Sequence, residues 1–171
     1  MSGLPPALDV DKLEPLEKIF IQPGPFIQSD HHTIKDQAKK IIQDETVPLH
    51  KAKKLIAWVY KNIEKRPVLS VPDALSTLEN RVGDCNEHAV LLAALARASG
   101  IPARIETGLA YLNGRFYYHA WNLLYVGRWI TADSAFGQIP ADVTHIRFTT
   151  GSLKQLDLMG IIGQIKLKVI G

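Results

Sequence analysis

At 171 residues with 46% hydrophobic side chains the chain can bury one sizeable core, and a net charge of +3 makes it only mildly basic. Its lysines and arginines are scattered, with short clusters at Lys39-Lys40 and from Lys51 to Lys54 that fit the wet faces of helices, so nothing resembles a nucleic-acid stripe. The lone cysteine, Cys85, excludes an intramolecular disulfide and leaves the redox compartment open, and no run approaches a membrane span or a signal peptide.

Residues 1–30 carry Pro5, Pro6, Pro15, Pro23 and Pro25 with little periodicity, which predicts an extended arm or linker ahead of a domain over 31–171. Such a start equally suits a domain within a larger, multidomain protein. Ile34, Ala38, Ile41 and Ile42 fall at helical spacing, giving an amphipathic helix over 33–44. A second begins near Pro48, runs through Leu55, Ile56, Trp58, Val59 and Ile63, and stops before Pro67. Pro72-Asp73-Ala74-Leu75 opens a short third helix.

The fourth helix is the best marked. Asp84 suits an N-cap, Glu87 completes a capping box, and the body from Ala89 to Ala98 is apolar nearly all round, so it should lie at the centre. Gly100 and Pro102 end it. The period then changes to two. Residues 103–112 and 115–126 flank Asn113-Gly114, a strong hairpin signal, and a strand over 129–133 follows the VGR turn. Further strands are expected over 145–149 and 164–170. Helices followed by antiparallel strands make an α+β domain.

With Asp84 as N-cap, Cys85 occupies the first helical position, where unpaired N–H groups and the helix dipole favour a thiolate below the free value of about 8.5, with Glu87 opposing somewhat. On its own, Cys85 also reads as a buried structural cysteine. A nucleophilic cysteine also needs a base and an orienting group. His31 and His32 lie in a polar segment, His50 sits among lysines, and His145 starts a strand where a structural hydrogen bond is expected. His88 would climb the helix side; the Cys-x-x-His spacing has no second cysteine or His pair to complete a zinc site.

His119, mid-strand in FYYHAWNLLYV, shares a face with Tyr117, Trp121 and Leu123. If 126–128 form a three-residue loop, Tyr125 pairs with Trp129 and Trp121 stands opposite Asp133, which becomes the diagonal same-face neighbour of His119. A two-residue turn would send Asp133 to the other face. Taken singly, His119 also reads as a core histidine and Asp133 as a turn residue.

The runs GDCNEHAVLLAALARASGIPARI and YYHAWNLLYVGRWITADSAFGQ, with WVYKNI and DALSTLENRVGDC upstream, resemble the transglutaminase-like superfamily of papain-fold cysteine enzymes, especially its bacterial members. The resemblance covers roughly residues 30–148. It implies a papain-like fold whose cysteine-bearing central helix packs on the sheet, with Cys85, His119 and Asp133 as a catalytic triad. It further implies acyl transfer or amide hydrolysis through a thioester, on a protein or peptide substrate. No cofactor is needed, and no acidic cluster suggests calcium. The Cys85 N–H is the expected oxyanion donor, with Trp58 and Asn62 as candidates for a second. Two alternatives remain open on this scaffold: an acetyl-transfer relative using an acyl carrier, and a non-catalytic binding module.

Overall fold

The computed structural model describes residues 8–69, 71–142 and 144–150. The strand expected over 164–170 lies outside them. Helix α2 (His32–Ile42) buries Ile34 and Ala38, and α3 (Pro48–Asn62) buries Ala52, Leu55, Ile56 and Val59, the three-and-four spacing of one helical stripe. Pro48 sits in the first turn of α3, where a missing N–H costs nothing. Helix α4 (Ala74–Asn80) is capped by Asp73, whose Oδ1 accepts the Ser76 N–H at 2.8 Å, and ends at Arg81 in the left-handed region.

Two short strands, β1 (Glu64–Lys65) and β2 (Val82–Gly83), pair in parallel and deliver the chain to α5 (Cys85–Ala98). Helix α5 is buried from Glu87 to Ala96. It packs on α2, α3 and α4 on one side and on the sheet on the other. Fully burying each of Leu91, Leu92 and Leu95 contributes about 1.5–3 kcal/mol, so the mid-section of α5 anchors the domain. Gly100 at φ +79° supplies the left-handed residue that turns the chain out of the helix.

The main sheet is antiparallel with order β5-β4-β3-β6. Strands β3 (Ala103–Leu112) and β4 (Arg115–Tyr125) form the expected hairpin, and Asn113 and Gly114 both take positive φ, as a type I′ turn requires. Tyr125 pairs with Trp129 at the start of β5 (Trp129–Ala132), so the loop over 126–128 has three residues. Strand β6 (His145–Thr150) pairs with the far edge of β3, with a register shift between Thr107 and Gly108. Gly108 lies against β6 so closely that a Cβ there would sit 2.0 Å from the Ile146 carbonyl oxygen.

The proline-rich start is seated on this frame from a short helix, α1 (Pro15–Ile19), onward. The Trp129 indole donates to Glu17 at 3.3 Å, Ala103 N–H donates to the Phe20 carbonyl at 3.0 Å, and Ile27 joins the core. Arg97 binds both the Gln22 carbonyl, at 2.6 Å, and the Ala103 carbonyl.

Candidate active site

The N-terminus of α5 is built as its sequence predicts. Asp84 Oδ1 accepts the Asn86 N–H at 2.8 Å, and Glu87 turns back so that its Oε2 accepts the Asp84 N–H at 2.9 Å. Gly83 leaves room for that return, since a Cβ there would stand 2.2 Å from the Glu87 Cβ. Cys85 is therefore the first residue of the helix, half-buried, and its N–H has no protein acceptor among the described residues.

Strand β4 is fixed to this end of the helix by the residues flanking His119. The Tyr118 hydroxyl donates to Asn86 Oδ1 at 3.0 Å, and the Asn122 side-chain amide donates to the Ala89 carbonyl at 3.0 Å. Period-two alternation turns the even residues of β4 onto α5, while His119 and Trp121 share the opposite face with stacked rings. Cys85 and His119 line one cleft of about 290 Å³, together with His88 and Phe136 and with Lys65 and Arg66 from β1 and the residue after it.

Asp133, fully buried, follows β5 in a turn closed by two backbone hydrogen bonds to Gln138, each 2.8 Å. Its Oδ1 accepts the N–H groups of Ala135 and Phe136 at 2.8 and 3.0 Å, an Asx-type arrangement that aims the other oxygen back at the sheet. That oxygen, Oδ2, accepts from His119 Nε2 at 2.6 Å. The three-residue loop thus has the consequence anticipated for it, and the imidazole meets the carboxylate. His119 Nδ1 has no hydrogen-bond partner among the described residues, and Phe136 stacks on the ring at 4.6 Å.

The electrostatics differ from the sequence expectation at Cys85. Burial pushes the thiol up to about 12, reinforced by the carboxylates of Asp84, Asp133 and Glu87 and opposed by a backbone hydrogen bond from Ala120. Helix-start geometry alone favours a thiolate, but a sulfur sunk among three acids is held as a neutral thiol. Burial and the adjoining Asp84 carboxylate also raise Glu87, to about 7. For Asp133 burial pulls upward, yet the hydrogen bonds from His119 and His145 outweigh it and hold the carboxyl well below the usual range.

Two residues carry more of the site than the sequence suggested. His88 is fully buried in the cleft wall; its Nδ1 donates to the Asp84 carbonyl at 2.7 Å, and burial lowers its pKa, leaving a neutral ring. His145, at the start of β6, places Nε2 2.9 Å from Asp133 Oδ2. Its position depends on β6 crossing to the far edge of β3, a pairing that spans more than thirty residues and leaves no local signal. The proposed oxyanion partners lie elsewhere. The Asn62 amide donates to the Trp58 carbonyl at 2.8 Å, the Trp58 ring lies under Arg81, and neither residue lines the cleft.

His119, Asp133 and His145 bring three metal-ligand atoms within 4.8 Å of one another. The 2.6 and 2.9 Å contacts are nonetheless hydrogen bonds. Two ligands on a tetrahedral zinc stand about 3.3 Å apart, so these groups bind one another as they stand.

Comparison with known proteins agrees with this architecture. A candidate cysteine protease from Cytophaga hutchinsonii superposes with a TM-score of 0.75 at 28% identity, covering 86% of this chain and 50% of that one. The periplasmic domain of TgpA from Pseudomonas aeruginosa shares the fold, with a TM-score of 0.57 at 20% identity over 74% of this chain and 49% of its own. An uncharacterised protein of Haemophilus influenzae is 34% identical over 106 residues, which are 57% of this chain and 28% of that protein. The chain thus spans half or less of the length of these relatives. The sequence profile of the transglutaminase-like superfamily matches residues 35–134, more than half of the chain, from within α2 to the start of the Asp133 turn. The chain belongs to the transglutaminase-like superfamily and has its papain-like fold.

Proposed function

We propose that this domain is a cysteine enzyme that transfers or hydrolyses acyl groups through a thioester on Cys85, with His119 as base and Asp133 as its orienter. The observation that carries the reading is the buried 2.6 Å hydrogen bond between His119 Nε2 and Asp133, beside a cleft that His119 shares with Cys85 at a helix start. With Nε2 committed to Asp133, Nδ1 is the nitrogen left to serve the thiol.

A thiol held near 12 does not ionise into bulk water at neutral pH, so its proton must pass to His119. In that step Nδ1 takes the Sγ proton while the sulfur attacks the carbonyl carbon of an amide. The free Cys85 N–H donates to the oxyanion. Collapse of the tetrahedral intermediate breaks the C–N bond, and the imidazolium returns its proton to the leaving amine. Water or a second amine, deprotonated by the same imidazole, then attacks the thioester and regenerates the thiol. Water gives hydrolysis; an amine gives acyl transfer. The likeness to the Cytophaga candidate protease favours a peptide or protein acyl donor.

The test is to mix the protein with an activated ester such as p-nitrophenyl acetate and weigh it intact. A single acyl adduct that forms in wild type, is absent from folded Cys85→Ala and decays with time supports the reading. An adduct that persists in Cys85→Ala, or never forms, refutes it.

A further inference from the structure

We propose that His145 is a fourth, cationic member of this site: a doubly protonated imidazole that holds Asp133 against His119 and balances its charge as Cys85 ionises. The inference rests on the function proposed above, but its first part concerns protonation alone. Both ring nitrogens of His145 face acceptors. Nε2 lies 2.9 Å from Asp133 Oδ2, and Nδ1 lies 3.2 Å from the Asp142 backbone carbonyl and 3.4 Å from the Asp142 carboxylate. A carbonyl oxygen can only accept, and so can an ionised carboxylate, so each nitrogen must bring a hydrogen. A ring with two N–H groups is an imidazolium.

Asp133 is equipped for that partner. Its Oδ1 takes two backbone N–H groups and its Oδ2 takes two imidazoles, which fills the four acceptor sites of a carboxylate. The His145 side chain is 3% exposed, pinned by the pairing of its backbone with Ala110 and by the Trp121 ring at 5.0 Å. The ionisable groups facing His145 are Asp133, Asp142 and the His119 ring, 5.6 Å away. Burial pulls the His145 pKa down, but the two carboxylates more than offset it, so the net shift is upward.

The consequence lies in the charge of the buried site. Cys85 ionises beside Asp84, Asp133 and Glu87, and only the proton passed to His119 offsets the new charge. With His145 neutral, the sulfur, His119 and Asp133 would carry one net negative charge during attack. With His145 cationic the four groups sum to zero. His145 touches neither sulfur nor substrate, so it is a positioning residue acting through Asp133.

The experiment uses the full chain labelled with 15N-histidine and two-bond 1H–15N correlation spectra between pH 5 and 9, with His145 assigned by its loss in His145→Gln. The account expects His145 to keep the doubly protonated pattern above pH 6.5, where a free ring has half lost it. A single-tautomer pattern at pH 6 would overturn the proposal, and this readout needs no activity. His145→Gln keeps an N–H for Asp133 but removes the charge. Its acylation by p-nitrophenyl acetate should fall at least tenfold in kcat with KM little changed, and the variant should lack the fall in kcat that the wild type shows as His145 loses its proton at alkaline pH. A His145→Gln profile superimposable on wild type would show that the side chain serves geometry only. If Cys85→Ala still forms the adduct, the proposed function fails while the spectra still decide the protonation of His145.

Discussion

Replacing Asp133 with Asn keeps the shape of the side chain and removes one acceptor oxygen and the charge. Asp133 is fully buried and accepts four hydrogen bonds, two from backbone N–H groups and two from imidazoles. An asparagine has one oxygen. If that oxygen stays on Ala135 and Phe136, the amide NH2 points at two imidazole nitrogens that also donate. His119 escapes the clash only by moving its proton to Nδ1, the nitrogen meant to accept from Cys85. Placing the imidazole in the wrong tautomer costs about 10⁴ in kcat in the serine-protease triad, and a loss of about 10³–10⁴ is expected here. Stability should fall as well, because each hydrogen bond to a charged group is worth about 1.5–3 kcal/mol and His145 loses its counter-ion. The assay is the acylation rate of Cys85 by p-nitrophenyl acetate in the variant, with thermal unfolding to confirm that it folds. An acylation rate within tenfold of wild type in folded Asp133→Asn would refute the assigned role.

Gly108→Ala would force a Cβ to within 2.0 Å of the Ile146 carbonyl and part β6 from β3. The strain should cost about 1–3 kcal/mol by thermal melt and should unseat His145, so that the variant loses the doubly protonated ring along with stability. Stability should also depend on pH with a defined sign. Asp133 is depressed in the fold, so its contribution is present above about pH 3.9 and is lost as pH falls through its lowered value. His145 and Glu87 are raised, so theirs is full below about pH 4.5 for the glutamate and about 6.5 for the histidine, and is lost as pH rises through the folded values, about 7 for Glu87. Melting temperature should therefore peak in mildly acidic solution and decline on both sides, and Asp133→Asn should flatten the acid limb. A melting temperature that rises steadily from pH 6 to 8 would contradict this.

Most of the frame was legible because its signals are local. The Asp84–Glu87 capping box and Asn113-Gly114 each fix a helix start or a turn within a few residues, while the loop length after Tyr125, left open by the sequence, is three residues in the structure and brings Asp133 to His119. What sequence could not supply was long-range. His145 reaches Asp133 only through β6, whose register shift at Thr107/Gly108 has no counterpart in a period-two pattern. The Cys85 thiol was misjudged for a related reason. The helix dipole and the adjoining Asp84 and Glu87 can be read from position, whereas burial of the sulfur and the Asp133 carboxylate become visible only once the turn after β5 is folded against α5. The seating of Glu17 and Phe20 on β3 and β5 likewise depends on partners more than eighty residues away.

The central claim is that the Cys85 proton goes to His119. The most direct test is the rate of Cys85 alkylation by iodoacetamide from pH 5 to 10, read by intact mass, in wild type and His119→Ala. Without an internal base, a thiol near 12 is ionised to roughly 10⁻⁵ at pH 7, so His119→Ala should be close to inert there and gain reactivity tenfold per pH unit. Wild type should react at neutral pH with a much shallower dependence. Superimposable profiles would show that His119 does not accept the proton, and the account of the site would be wrong.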